Sequence, residues 1–152
     1  MKVVILENIR SAYNVGNIIR TADSLGRNIW LTGYSPSPID NKKVSKTSLG
    51  AENNVGLKIF NNTIEAINFA KENKFLVIGA EITKESINLK EISKKIKSDK
   101  SIAVIFGNEV DGILKQTLNI VDYIVYIPMF GIKESLNVGQ SSAIFMRELN
   151  KL

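Results

Sequence analysis

The residue pattern predicts an α/β fold, a mostly parallel sheet with helices on both faces, and three observations lead there. Short runs rich in Val, Ile and Phe alternate with helix-like stretches along the chain. Several of these runs are apolar at consecutive positions, as strands covered on both faces must be. No period of 20 to 50 residues recurs, so a repeat architecture is excluded.

Taken in order, Lys2 to Leu6, Asn28 to Thr32, Gly56 to Phe60, Phe75 to Ala80, Ser101 to Phe106 and Tyr123 to Ile127 read as strands. Helices are expected over Val15 to Leu25, Ile64 to Asn73 with Asn62 or Thr63 as its cap, Leu89 to Lys97, Leu114 to Ile120, and Asn137 to Lys151. In the first helix Val15, Ile18, Ile19, Ala22 and Leu25 form one stripe. Arg20 lies about 140° from Val15 at the helical 100° per residue, pointing toward solvent, a cleft or another subunit. Asn14 is placed to cap that helix, with Gly16 at its entry. In the last helix Val138, Ser142, Phe145, Leu149 and Leu152 recur on one face, and Leu89, Ile92 and Ile96 do so in the Lys-rich helix. The stretch "YSPSPIDNKKVSKTSLGAE", residues 34 to 52, is expected as one long, irregular, basic loop.

With 152 residues and 44% hydrophobic content, the chain is long enough to bury a core, and one domain over residues 1 to 152 is expected. It contains neither cysteine nor histidine, which excludes thiolate nucleophiles, zinc clusters and imidazole acid–base schemes. Carboxylates, hydroxyls, amides, Lys and Arg are left to do any chemistry, and no metal is expected. No apolar run reaches the ~20 residues of a membrane span, and "MKVVIL" is too short for a signal peptide, so a cytoplasmic protein is expected. A net charge of +5 and a pI near 9.4 favour a polyanionic partner such as nucleic acid.

Three consecutive late strands run into glycine-containing turns: "FLVIGAE" (75 to 81), "IAVIFGNEVDG" (102 to 112) and "YIPMFG" (126 to 131). In open α/β sheets ligands bind beyond the carboxyl ends of strands, and Gly79, Gly107 and Gly131 are expected to permit close backbone approach there. Neither a P-loop nor a Gly-x-Gly-x-x-Gly turn is present, which disfavours an NTPase or an ordinary dinucleotide enzyme.

Three blocks in order, "ENIRSAYNVGNIIRTAD" (7 to 23), "IFGNEVDGI" (105 to 113) and "IPMFGIKESLNVGQSSA" (127 to 143), together resemble the signature of the SpoU (TrmH-type) RNA 2′-O-ribose methyltransferases of the SPOUT class. The resemblance implies a C-terminal deep trefoil knot, an exception to the general avoidance of knots. It implies S-adenosyl-L-methionine as cofactor, with Ala80, Gly107, Ile127 and Leu136 as backbone or packing contacts. It further implies a homodimer with the active site shared across the interface, which an outward-pointing Arg20 would suit. Arg20, Asn14, Glu109, Ser135 and Asn137 match the polar family positions and are the expected catalytic set. One departure is Gly139, where the family commonly has Ser after "SLNV"; it loosens the helix start and removes no motif residue.

The chain starts with its first strand and ends with its last helix, so no added RNA-binding domain is expected and RNA must be gripped by the core dimer. Arg10, Tyr13, Lys42, Lys43, Lys46 and Lys133 are the candidate contacts. Family members without an added domain often act on tRNA, which puts tRNA ahead of rRNA. A noncatalytic RNA-binding or assembly protein on the same fold is the alternative reading, and intact Arg20, Glu109 and Asn137 argue against it.

Overall fold

The structure is a computed structural model and describes residues 1–97 and 99–150. Strands β1 (Lys2–Glu7), β2 (Asn28–Thr32), β3 (Leu57–Phe60), β4 (Leu76–Ala80), β5 (Ile87–Asn88), β6 (Ile102–Phe106) and β7 (Tyr123–Tyr126) form one sheet in the order β3-β2-β1-β6-β4-β7-β5. Every strand pair is parallel. At its centre β1 runs between β2 and β6, with Leu6 opposite Leu31 and Phe106. Side chains alternate across the sheet, so Val4 and Leu6 enter one core and Val3 and Ile5 the other. Each is fully buried, a contribution of ~1.5–3 kcal/mol per side chain.

Helices α1 (Ala12–Ser24), α2 (Lys42–Ser48), α4 (Leu89–Lys95) and α6 (Val138–Leu149) contribute their buried stripes to the first core. Helix α3 (Thr63–Glu72) covers the second, joined by Leu118 of the single-turn α5 (Lys115–Leu118). There Trp30 packs against Phe60, Phe69 and Phe75 with ring centroids 5.3, 5.4 and 5.7 Å away. Among the described residues no helix is long and apolar enough to cross a membrane.

The six expected strands form where the pattern puts them, and the two-residue β5 is added between β4 and α4. Residues 34–52 depart from expectation: the supposed irregular loop holds α2 and a 3-10 turn over Ala51–Asn53. Asn41 starts α2 by accepting a hydrogen bond from Lys43 N–H, and Val44 and Ser48, one turn apart, are buried. Gly16 makes room for them, because a Cβ there would lie 2.6 Å from Thr47 Cβ and from the Val44 carbonyl oxygen. It therefore belongs inside α1 at a helix crossing rather than at the helix entry. Helix α1 begins at Ala12 with Ser11 as cap, so Asn14 does not cap it. Helix α4 ends at Lys95 and α6 is described to Leu149; Lys151 and Leu152 lie outside the described residues.

The far end of α6 is held by cations. Arg27, 2% exposed, donates from Nη2 to the Met146 carbonyl at 2.7 Å and to Asn150 Oδ1 at 2.8 Å. Lys2 Nζ donates to the Leu149 carbonyl at 2.7 Å. Burial pushes the Arg27 pKa down to about 10, and burial together with the Arg27 charge lowers that of Lys2. Arg27 Nε and Nη1 are buried without a hydrogen-bond partner.

Candidate active site

The carboxyl ends of β4, β6 and β7 open into a cavity of about 750 Å3. Its walls come from the turn after β4, the loop from Gly107 to Ile113, the segment between β7 and α6, and Phe145 of α6. Ala80, Gly107, Ile127 and Leu136 all line it, as do Glu109, Ser135 and Asn137. A volume in the range of roughly 300–1,000 Å3 and a lining that mixes apolar side chains with polar ones such as Glu81, Asn108 and Asp111 make a pocket of nucleoside-ligand size.

Glu109 organises one rim. Its carboxylate accepts hydrogen bonds from the Arg10 N–H at 2.9 Å, the Ser11 N–H at 3.1 Å and the Asn14 side-chain amide at 2.9 Å. Burial raises the pKa of this carboxyl, but these donors and its own backbone N–H outweigh burial and leave it below the ordinary value. Asn14 Oδ1 in turn accepts from Asn137 Nδ2 at 3.2 Å, and Asn137 Oδ1 caps α6 by accepting from the Gly139 N–H at 2.8 Å. A chain Glu109–Asn14–Asn137 thus ties the loop after β6, helix α1 and the start of α6 together. A Cβ at Gly139 would sit 3.1 Å from Asn137 Oδ1 and from Asn17 Nδ2, so a side chain there would require these amides to shift slightly.

The three glycines act differently from one another. A Cβ at Gly79 would press on Leu118 at 3.3 Å, so Gly79 serves the packing of α5. At Gly107 a Cβ would overlap the Gly112 and Ile113 backbone, so this glycine lets the 108–112 turn fold back on β6. Gly131 stands in open space. Packing thus accounts for the missing side chain at Gly79 and Gly107, and Gly107 also lines the cavity.

Arg20 is exposed on α1, away from its own core stripe, and does not line the cavity. Ser135 is exposed at the cavity wall. Arg10 and Tyr13 are exposed at the start of α1, beside the Glu109 contact; Lys42, Lys43 and Lys46 sit on α2, and Lys133 is exposed on the segment before α6. Among the described residues no group of acidic side chains suits a metal ion.

Sequence reasoning missed two residues. Glu81, on the cavity wall, accepts hydrogen bonds from the Ile82 N–H at 2.9 Å and the Ile113 N–H at 3.1 Å. Asn108, 6% exposed, accepts from the Val110 and Asp111 N–H groups and donates to the Asn8 carbonyl and the Tyr34 hydroxyl. Both follow a strand-end glycine by one or two positions, a signal that was present.

The profile of the SpoU rRNA Methylase family matches residues 1–147. The chain belongs to this family. A SpoU relative, the tRNA (guanosine(18)-2'-O)-methyltransferase of Thermus thermophilus, is 30% identical over 97% of the chain and 73% of its own length. The AdoMet-bound rRNA methyltransferase from Sinorhizobium meliloti superposes with a TM-score of 0.87 at 24% identity, covering 99% of this chain and 56% of that one. A structure that addresses 2-OH methylation of C/U34 on tRNA superposes with a TM-score of 0.84 at 20% identity, covering 99% and 95%. The shared sheet and helix layers place this chain in the SpoU methyltransferase fold. Other curated relatives are longer still: the chain spans 63% of one from Borreliella burgdorferi and 58% of one from Neisseria meningitidis.

Proposed function

We propose that this SpoU-family chain transfers a methyl group from S-adenosyl-L-methionine to a ribose 2′-hydroxyl of RNA, with tRNA ahead of rRNA as substrate. The observation that carries the reading is the joining of the Glu109–Asn14–Asn137 chain to the rim of the cavity that Ala80, Gly107, Ile127 and Leu136 line. These four residues would hold the cofactor through backbone groups and apolar contact. When bound, S-adenosyl-L-methionine supplies an electrophilic sulfonium methyl whose leaving group is a neutral thioether. The protein's work is then positioning the ribose and managing one hydroxyl proton.

Glu109, engaged by three donors, is a positioning residue for Asn14 and the first turn of α1. Ser135 and Asn137 border the place of transfer. Arg20 lies outside its own cavity, so in this reading it serves the site of a second subunit in a homodimer. A guanidinium keeps its proton, and Arg20 therefore acts as a charged donor that orients a substrate phosphate and stabilises charge developing on the ribose oxygen. In this reading Arg10, Tyr13, Lys42, Lys43, Lys46 and Lys133 supply the RNA surface of the domain, and the protein works in the cytoplasm. The deep knot belongs to the same reading. The preference for tRNA is supported by the Thermus relative, which acts on tRNA.

The test incubates the protein with methyl-labelled S-adenosyl-L-methionine and separately purified tRNA and rRNA, then maps the labelled nucleotide. Label at a ribose 2′ position of tRNA is expected; cofactor binding with no label in either RNA would favour the noncatalytic alternative. Arg20→Ala should abolish transfer, on the order of 1,000-fold or more for loss of a charge-stabilising donor, while leaving cofactor binding intact. Sedimentation of the same protein should show a dimer.

A further inference from the structure

We propose that Tyr34 is a stacking platform for an unpaired base of the RNA substrate, an inference that rests on the RNA-modifying reading above. The ring is 61% exposed, yet its position is closely determined. Its hydroxyl accepts a 2.7 Å hydrogen bond from Asn108 Nδ2, and the Tyr34 N–H donates to Asn8 Oδ1. Asn8 holds a left-handed backbone (φ 54°), a conformation few residues other than glycine adopt. Next to Tyr34, Gly33 is also left-handed (φ 61°), and a Cβ there would overlap the Asn8 carboxamide. Asn108 is buried and its remaining bonds shape the turn that presents Glu109.

Two left-handed residues and a buried amide thus fix an aromatic ring whose body stays in water, its hydroxyl held by the residue that precedes Glu109 on the cavity rim. A tyrosine serving only to satisfy Asn108 would not need an exposed ring. Exposed aromatics stack on any base and gain affinity without reading sequence, and the net charge of +5 suits a polyanion as the occupant.

The test compares Tyr34→Phe with Tyr34→Leu in the full chain. Both lose the hydroxyl bond to Asn108, so their difference reports the ring alone. Binding of unfractionated tRNA and of total rRNA is measured across a salt series, alongside binding of S-adenosyl-L-homocysteine, dimerisation and methyl transfer by the wild type. Tyr34→Leu should bind the methylated RNA about tenfold more weakly than Tyr34→Phe, with an unchanged salt slope, because stacking releases no counterions. Cofactor affinity and dimerisation should match in the two variants. Equal RNA affinity would overturn the proposal. So would a parallel loss of cofactor affinity, which would make the ring structural, or loss of the dimer, which would assign it to a partner subunit. Failure of the wild type to bind or methylate RNA would be seen separately and would remove the RNA reading itself.

Discussion

Helix α6 is secured at its two ends by opposite means. Its N-terminal end is held by amides and one carboxylate: Asn137 caps it, Asn14 holds Asn137, and Glu109 holds Asn14. Its C-terminal end is held by two cations, Arg27 and Lys2, which donate to the last carbonyls where the helix dipole favours positive charge. The first arrangement is part-buried and faces the cavity, so its bonds can be exchanged for bonds to a ligand. At the second the Arg27–Met146 bond is buried, the Asn150 and Lys2 bonds are part-buried, and none of the residues that donate or accept there lines the cavity. In the proposed reading the first end serves the site and the second the fold, and substitutions should separate them.

Arg27→Ala has the largest expected effect on stability. It removes two charge-assisted bonds and leaves a cavity, at a cost of about 2–4 kcal/mol read from urea unfolding. Cofactor affinity in the fraction that stays folded should be close to wild type. Arg27→Met should cost less than Arg27→Ala, because its side chain refills much of the volume the arginine stem leaves. Arg27 and Lys2 are bases whose pKa is lowered on folding, so near those values the folded protein binds fewer protons than the unfolded chain. Stability contributed by them therefore rises with pH, for Arg27 from about 10 upward toward the ordinary guanidinium value. Unfolding followed from roughly pH 9 to 11 should show the wild type gaining relative to Arg27→Met.

At the other end Asn14→Ala should cost only about 1–2 kcal/mol, yet lower methyl transfer roughly 100-fold by releasing Asn137 and Glu109 together. Equal losses in stability from Arg27→Ala and Asn14→Ala would break the comparison. Glu109→Gln should have the smallest effect, about tenfold on transfer, since the amide oxygen still accepts one or two of the same bonds. Its wild-type carboxyl is lowered on folding, so its stabilisation is present above the ordinary value of 4.5 and lost as pH falls through the lowered one. Acid unfolding curves of Glu109→Gln should lack that component.

How far the molecule was legible follows the reach of each interaction. Strands such as Val3–Leu6 and Ile102–Phe106 announce themselves because double-sided burial demands consecutive apolar residues. The residues of the three motif blocks do converge: Asn14, Glu109 and Asn137 come within hydrogen-bond distance across 95 and 123 positions of chain. Their partners were not legible, and Asn14 was misread as a cap because capping is a local pattern while its bonds are long-range. Helix α2 was missed because seven residues with two buried positions give almost no periodicity, and the glycine that admits it lies in another helix. Arg27 gave no signal, since the carbonyl and the amide it binds lie 119 and 123 residues away.

The central place of β1 also sets an order of assembly. During synthesis β1 can pair early with β2, but its other edge stays open until residues 102–106 have been made, leaving Val3 to Leu6 as an unpaired apolar edge. Glu7 has the same dependence, because the Leu114 N–H and the Thr117 hydroxyl that satisfy its buried carboxylate arrive still later. This central strand is made well before the neighbour that completes it, which makes the half-made chain the form most exposed to aggregation.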